Sequence, residues 1–473
     1  MTSAHALAPE TSGQSEATTP ALSNVWNIVR VASGNFLEMY DFMVFGYFAS
    51  AIGNAFFPGG TELTRLLYAL ATFGAGDLMR PLGAIVLGAY TDHHGRRKGL
   101  MLTLALMAVG IASLTFMPTY AQIGVAAPIL VVAGRLLQGF SAGVELGSVS
   151  VYLAEIAPPG RKGFYVSWQS ASQQMAVIVA ALVGFVTGEI LSPAAMQSWG
   201  WRIPLLVGCL IVPLLLLLRS GLKETEAFKT SKPPAMGEIV KILGRHWAPV
   251  LIGMGLATMT TVSFYTITAY TPTFGKLLHL TTRVSLLVTL CIGLSNLFWL
   301  PIMGAMSDKV GRRPLLIGCT VLMILTAYPA LAWLAAAPDF GRLLIVELWL
   351  SFLYASYNGA MVVYLTEIVP QAVRATGFSL AYSLATAIFG GFTPYISTQL
   401  IHLTSNRAMP GAWLSMAAVL GLAATLLASR LKRERRNGAR VEAELDLRLQ
   451  PRHSLFGLVL RGGDGRTSRH GGL

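Results

Sequence analysis

The chain has 473 residues, 54% of them hydrophobic and only 12% charged, with a formal net charge of +13. A soluble chain carries about 25% charged residues, and its apolar residues do not collect in about a dozen blocks of bilayer length. The excess of positive charge sits in short loops and the tail, so it reads as membrane topology and not as a nucleic-acid surface. Cys209, Cys291 and Cys319 lie inside apolar runs at spacings that suit neither a metal site nor a disulfide framework.

The first two dozen residues are polar and lack the basic and short apolar regions of a cleaved leader. Residues 1–25 are therefore expected to be a disordered cytoplasmic segment, and the first span to act as the insertion signal. Twelve spans follow, at 27–50, 66–88, 99–118, 127–153, 164–190, 201–219, 248–270, 284–306, 314–336, 342–365, 376–400 and 411–430. The fold class expected is an all-α membrane protein with twelve transmembrane helices. Alternate loops carry Arg96, Arg97 and Lys98, Arg161 and Lys162, Lys309, Arg312 and Arg313, and Arg374, which puts them and both termini in the cytoplasm. The Pro-containing charged segment 220–247 separates an N-terminal half (26–219) from a C-terminal half (248–430), and 431–473 reads as a basic, disordered cytoplasmic tail.

Charges inside spans are costly in hydrocarbon, so each is a functional candidate. Span one carries Glu38 and Asp41, three residues apart and so on one helical face. Two such acids repel, and burial opposes ionisation, which suits reversible proton binding; a structural pair satisfied by a nearby arginine is the alternative. Arg80 in span two and Arg135 in span four could fork onto substrate carboxylates. Their structural alternatives are Asp77 for Arg80, and a span-one acid or Glu145 for Arg135. Span four also spaces Gly139, Gly143 and Gly147 at four residues, a ridge for close helix packing. Gln138 and Glu145 lie on the adjoining stripe, Glu145 as a third coupling candidate. Gln169 and Gln173 in span five, and Tyr265, Asn296 and Asn358 in the second half, offer polar groups for a ligand or for helix–helix glue.

Two stretches recur. GAYTDHHGRR, from Gly88 through Asp92 and Gly95 to Arg97, returns 216 residues later as GAMSDKVGRR, from Gly304 through Asp308 and Gly311 to Arg313. VYLAEI, ending Glu155–Ile156, returns 212 residues later as VYLTEI, ending Glu367–Ile368. Two independent motifs at nearly one offset indicate duplicated halves of the same orientation. Neither a phosphate-cradling GxxxxGK[ST] loop nor an HExxH motif occurs, which argues against an ATP-driven pump or a zinc-dependent membrane enzyme.

The Gly-x-x-x-Asp-x-x-Gly-Arg-Arg loops and the span-four motif Arg135 to Pro158 resemble the major facilitator superfamily. SGNFLEMYDF (Ser33 to Phe42), LMRPLGAIVLGAY (Leu78 to Tyr90), GRLLQGFSAGVELG (Gly134 to Gly147) and GFYVSWQSASQQ (Gly163 to Gln174) resemble its metabolite–proton symporters, in particular the bacterial citrate–proton symporters. Two positions depart from the pattern: His93 follows the loop acid, and Asp77 stands one turn before Arg80. The resemblance implies two six-helix halves in a bacterial inner membrane, and import of citrate or a related tricarboxylate with protons by alternating access. It implies a monomer with no cofactor, no metal and no nucleic-acid partner. Close relatives that carry tricarballylate or dicarboxylates, and more remotely a citrate receptor without transport, are the alternatives. It also implies a cytoplasmic gate with Asp92 and Asp308 as acids, Arg96, Arg97, Arg312 and Arg313 as bases, Glu155 and Glu367 as partners, and Gly88, Gly95, Gly304 and Gly311 allowing turns or close approach.

Overall fold

The computed structural model describes residues 35–220, 241, 244–245, 247–369 and 374–449, leaving aside the side chains of residues 92, 93, 96, 97, 218–220 and 431–449. Every element within them is helical. Ten helices are long and apolar enough to cross a membrane, and an eleventh is formed by the bent pair Pro193–Gly200 and Arg202–Leu217. Residues 35–47 and helix Ala49–Phe56 supply the first crossing. The expected segments 1–25 and most of 220–247 lie outside the described residues. The last helix, Met409–Leu449, runs past the expected end of span twelve at 430. Its extension is rich in Arg, Glu, Leu and Ala, all good helix formers, so the start of the expected tail is helical and not disordered.

The outside is greasier than the inside, as lipid exposure dictates. Leu210, Leu217, Phe116 and Ile190 are at least 70% exposed, while Glu38, Asp41, Asp77, Arg80, Arg135 and Glu347 are no more than 1% exposed. Two of these charges, Asp77 and Arg80, flank a helix break. Span two is interrupted between Glu62–Leu78 and Arg80–His94, because Pro81 has no N–H to return to Asp77. Span four breaks at Gly143 and Val144, between Ala126–Ala142 and Glu145–Ile156. The glycine ridge of span four makes the close packing expected of it. A Cβ on Gly139 would strike the Gly76 carbonyl and one on Gly143 the Arg80 carbonyl, both in span two. Gly147 faces Ala375 and Ser379 of span eleven, in the other half.

The duplicated loops have the same backbone. Gly95 has φ 100° and ψ 150°, and Gly311 has φ 94° and ψ 158°. That region of backbone space is open essentially to glycine alone, which explains a glycine at this place in both copies.

Candidate functional site

Spans one, two and four place two guanidinium groups beside three carboxylates in the middle of the protein. Arg80 Nε bonds Asp77 Oδ1, one turn earlier on its own span, and Arg80 Nη1 lies 2.9 Å from Glu38 Oε1. Arg135 Nη1 donates to Asp41 Oδ2 at 2.9 Å and to Gln138 Oε1 at 2.7 Å. Glu38 and Asp41 thus share a face of span one, as their spacing required, and each meets a different arginine. Phe42 lies against both cations, its ring centroid 4.8 Å from Arg80 Cζ and 4.2 Å from Arg135 Cζ. Phe45 and Phe73 complete an aromatic box around Arg135, at 4.6 and 5.5 Å. The ring faces stabilise the cations electrostatically and exclude water.

The cluster is not satisfied from within. Among the described residues, Arg80 Nη2, Arg135 Nε and Nη2, both Glu38 oxygens, Asp41 Oδ1, Asp77 Oδ2 and Gln138 Nε2 have no hydrogen-bond partner. The Glu38–Arg80 approach is therefore close in distance but poorly aligned. Buried groups of this kind are normally paired, so unused guanidinium N–H donors mark a place suited to an anionic guest. The second half closes over the cluster: Tyr265 of span seven packs edge-on against Phe73 at 5.6 Å, and Gly391 of span eleven touches the Asp77 carboxyl.

The other expected residues fall around this centre. Glu145 accepts a hydrogen bond from Thr103 at 3.1 Å and lies close enough to Glu38 to interact electrostatically. The Gln169 carbonyl and the Gln173 amide are both tied to Asn35 of span one at 3.2 Å. Asn296 donates to Gln174 across the halves at 3.2 Å and accepts from Ser351 at 2.7 Å. Asn358 reaches Tyr354 OH at 3.4 Å, and its Oδ1 has no partner. The side chains of Gln173 and Asn296 are thus engaged as glue between helices in this arrangement, apart from the arginine cluster, whereas Gln169 accepts from Ser170 on its own helix and its Nε2 has no partner among the described residues.

The second repeated loop joins the two halves. Asp308 accepts from the backbone N–H groups of Gly163 (2.8 Å) and Phe164 (3.1 Å), at the start of span five. A carboxylate there complements the positive end of the helix dipole. Gly163 and Gly304 abut one another's carbonyls, so neither tolerates a side chain. Arg312 Nη1 sits 2.8 Å from Asp308, and its Nη2 sits 3.4 Å from Glu367. The sequence pointed to Asp308, Arg312 and Glu367 but not to backbone donors across the halves as the acid's target. Arg313 and Glu155 are exposed, and Gly88 faces Val144. The side chains of Asp92, Arg96 and Arg97 lie outside the described residues.

The opposite face holds ties that sequence reading missed. Lys276 Nζ reaches Glu62 and Ser50, and Arg283 Nε lies 2.7 Å from Glu189. Each joins the first half to the second. The only signal in the sequence was a set of scattered charges on the sparsely charged loops. With both faces bridged, the arginine cluster is enclosed from either side.

The profile of the sugar (and other) transporter family matches residues 26–245 and 235–428. The chain belongs to this family of the major facilitator superfamily. The transporter is 55% identical over 414 residues to a citrate-proton symporter of Salmonella typhi, covering 86% of this chain and 95% of that one. It is 57% identical over 400 residues to a citrate-proton symporter of Klebsiella pneumoniae, covering 84% and 90%. An alpha-ketoglutarate permease of Escherichia coli (strain K12) is 34% identical over 411 residues, covering 85% and 93%. In fold it is similar to the crystal structure of a D-xylose-proton symporter, with a TM-score of 0.69 at 18% identity over 86% of this chain and 97% of that one. The twelve-helix fold expected from the apolar runs is therefore that of a multi-pass membrane transporter and not of an enzyme.

Proposed function

We propose that the chain is a proton-coupled secondary transporter that imports citrate by alternating access, acting as a monomer in a bacterial inner membrane with both termini in the cytoplasm. The observation that carries the reading is the pair of buried arginines with unused N–H donors, each held by an acid that a proton can neutralise. The 55–57% identity to citrate–proton symporters over most of the chain supports the substrate.

Three carboxylates beside two guanidiniums leave the cluster with one net negative charge when all are ionised, which repels a citrate anion. Protonating Glu38 and Asp41 reverses that sign and releases Arg80 and Arg135 to fork onto substrate carboxylates. Substrate and acid compete for the same two guanidinium charges, so proton binding favours citrate binding, and the linkage is reciprocal. Glu145, hydrogen-bonded to Thr103 and next to Glu38, is a third coupling group in this reading. Gln138, Gln169, Gln173, Tyr265, Asn296 and Asn358 line the path and exchange their present partners for citrate as the halves rock. The loops with Asp92, Gly95, Arg96 and Arg97 and with Asp308, Gly311, Arg312 and Arg313 form the cytoplasmic gate, with Glu155 and Glu367 at its edge. The driving species is the proton, and no other cofactor enters the cycle.

The 34% identity to an alpha-ketoglutarate permease favours one second reading, a dicarboxylate as cargo. The test is uptake of labelled citrate into proteoliposomes under an inward proton gradient, with unlabelled citrate, tricarballylate and 2-oxoglutarate as competitors. Gradient-dependent accumulation blocked best by citrate is the expected result. Accumulation blocked best by 2-oxoglutarate would make the cargo a dicarboxylate, and binding without accumulation would sink the symport reading.

A further inference from the structure

Glu347 meets the same criterion as Glu38 and Asp41, being an acid inside a span, yet it takes no part in the arginine cluster. It lies in span ten, helix Phe340–Ile368, and is 1% exposed. Seven residues separate it from the helix start, a rise of about 10 Å from the opposite face. Among the described residues, no cation accompanies it. Arg342, on its own helix, is engaged with Asp339 and the Trp333 carbonyl. Lys276, on the helix next to it, is engaged with Glu62 and Ser50. Beside Glu347, spans eight and nine meet this helix through neutral side chains, Ser295 and Asn296 bonding Ser351 and Thr326 bonding Trp349; Arg312 of span nine contacts it near its other end, at Glu367. Among the described residues, its one polar partner is Thr271, and its Oε2 has none.

Thr271 sits at a break. Span seven stops at Ile267 and resumes as the short helix Thr271–Leu277. Pro272 cannot donate to Thr268, and the Tyr270 N–H reaches back five residues to Tyr265. The Thr271 hydroxyl is 2.8 Å from the Ile267 carbonyl and 3.2 Å from Glu347 Oε1. A hydroxyl has one hydrogen and two lone pairs. Three acceptors face that hydrogen, the Ile267 carbonyl, Glu347 Oε1 and the Thr266 carbonyl at 3.4 Å, and the Ile267 carbonyl is the nearest. A buried carboxylate with only a share of that one hydrogen and with Oε2 unpartnered is costly, whereas a protonated Glu347 can itself donate to a lone pair of the hydroxyl. The resulting chain, Glu347 O–H to Thr271 O–H to Ile267 C=O, ties span ten across the break. The same short helix carries Lys276, the tie to Glu62. Its Pro272, Thr273 and Lys276 also line a cavity of about 70 Å³ with Tyr47 and Ser50 on the opposite face.

We propose that Glu347 is a further proton-binding site of this transporter, protonated while the opposite face is closed and bridging through Thr271 to hold the broken span seven in place. Loss of that proton leaves a buried carboxylate that draws the Thr271 hydrogen away from the Ile267 carbonyl, which loosens the break and frees the short helix with its Lys276 latch. Access of protons to the site is from the opposite face, beside the lined cavity. The transport consequence rests on the proton-symport reading above; the protonation itself does not.

The experiment uses the full chain in liposomes, as wild type, Glu347→Gln and Thr271→Val. Infrared spectra without citrate, in H2O and D2O, read protonated carboxyl groups directly. Citrate counterflow and proton-driven uptake are then followed against pH. An amide still donates to Thr271, so Glu347→Gln keeps counterflow. It loses one protonated-carboxyl band, and its driven uptake falls by at least about fivefold with a flatter pH profile, the low end of coupling between linked sites. Thr271→Val keeps the band but moves it, because the acceptor is gone. An unchanged band in Glu347→Gln, or driven uptake with the wild-type pH profile, overturns the proposal. If the band is lost while the wild type fails to accumulate citrate, the citrate reading falls and the protonated Glu347 stands.

Discussion

Replacing Asp41 with Asn separates the two duties assigned to the Arg135–Asp41 pair. Both side chains are at most 1% exposed, and the pair is 2.9 Å apart. Unit charges at such a separation attract by about 6 kcal/mol at an effective dielectric of 20. Desolvation offsets much of this, leaving about 1–3 kcal/mol by which Asp41 competes with a substrate carboxylate. Asn removes the competitor, so citrate should bind about 10- to 100-fold more tightly at neutral pH, at 1.36 kcal/mol for each factor of ten. Arg135 is not abandoned, because Gln138 Oε1 at 2.7 Å and the rings of Phe42, Phe45 and Phe73 still hold it. The fold should therefore survive. Proton-driven accumulation should fall by at least about 100-fold, since the group that neutralises is gone, while citrate–citrate exchange persists. Calorimetric titration, counterflow and gradient-driven uptake on one preparation give the three numbers. Asp41→Asn accumulating citrate with the wild-type rate and pH dependence would refute the competition argument outright.

Phe42→Leu removes a ring that faces both cations, and at about 0.5–2 kcal/mol per cation–π contact it should weaken citrate binding by about tenfold without abolishing exchange. Asp308→Asn weakens the cap on span five, so cysteines placed on the basic face should react faster with impermeant thiol reagents, with citrate protecting less than in the wild type. Glu62→Gln and Glu189→Gln each remove an exposed tie worth about 0–1 kcal/mol, and accessibility from the opposite face should rise by no more than about fivefold for each. Gly311→Ala forces a side chain into φ 94° and should cost about 1–3 kcal/mol, read as a lower midpoint in thermal unfolding.

Much of the architecture follows from features visible along the chain. Apolar runs of bilayer length fix the spans, and two repeated motifs fix the halves. The four-residue spacing of Gly139, Gly143 and Gly147 implies the close approach to span two and span eleven that they make. Glu38 and Asp41 declare themselves because an acid in hydrocarbon needs a reason. What the chain does not announce is pairing across helices. Glu38 and Asp77 converge on one guanidinium from different spans, and nothing local says that Asp77 is a member rather than the sole partner of Arg80. Asp308 seeks main-chain N–H groups, which leave no trace in residue type. Glu347 did carry a signal, an acid within 342–365, but its meaning depends on Thr271 and a helix break some seventy residues earlier in the chain.

The two sets of ties between the halves differ in kind, and the difference bears on direction. On the opposite face they are ion pairs between solvated side chains: Lys276 and Glu62 are 43% and 60% exposed, and Arg283 and Glu189 are 67% and 38% exposed. Such pairs contribute little and are screened by salt. On the basic face the Asp308 side chain is 6% exposed, receives two backbone N–H bonds at a helix start and is backed by Arg312. Hydrogen bonds to a charged group contribute about 1.5–3 kcal/mol each, and the glycine contact of Gly163 with Gly304 adds packing that a water layer cannot replace. The enclosed state should therefore open first toward the opposite face. In the orientation proposed above that is the outside, and an empty carrier resting open to the outside is poised to load an external anion. Opening inward has to break the stronger set of bonds, so it needs a free-energy source. Binding of citrate and protons at Arg80 and Arg135 supplies one, by as much as the loaded cluster favours the inward-open arrangement over the enclosed one.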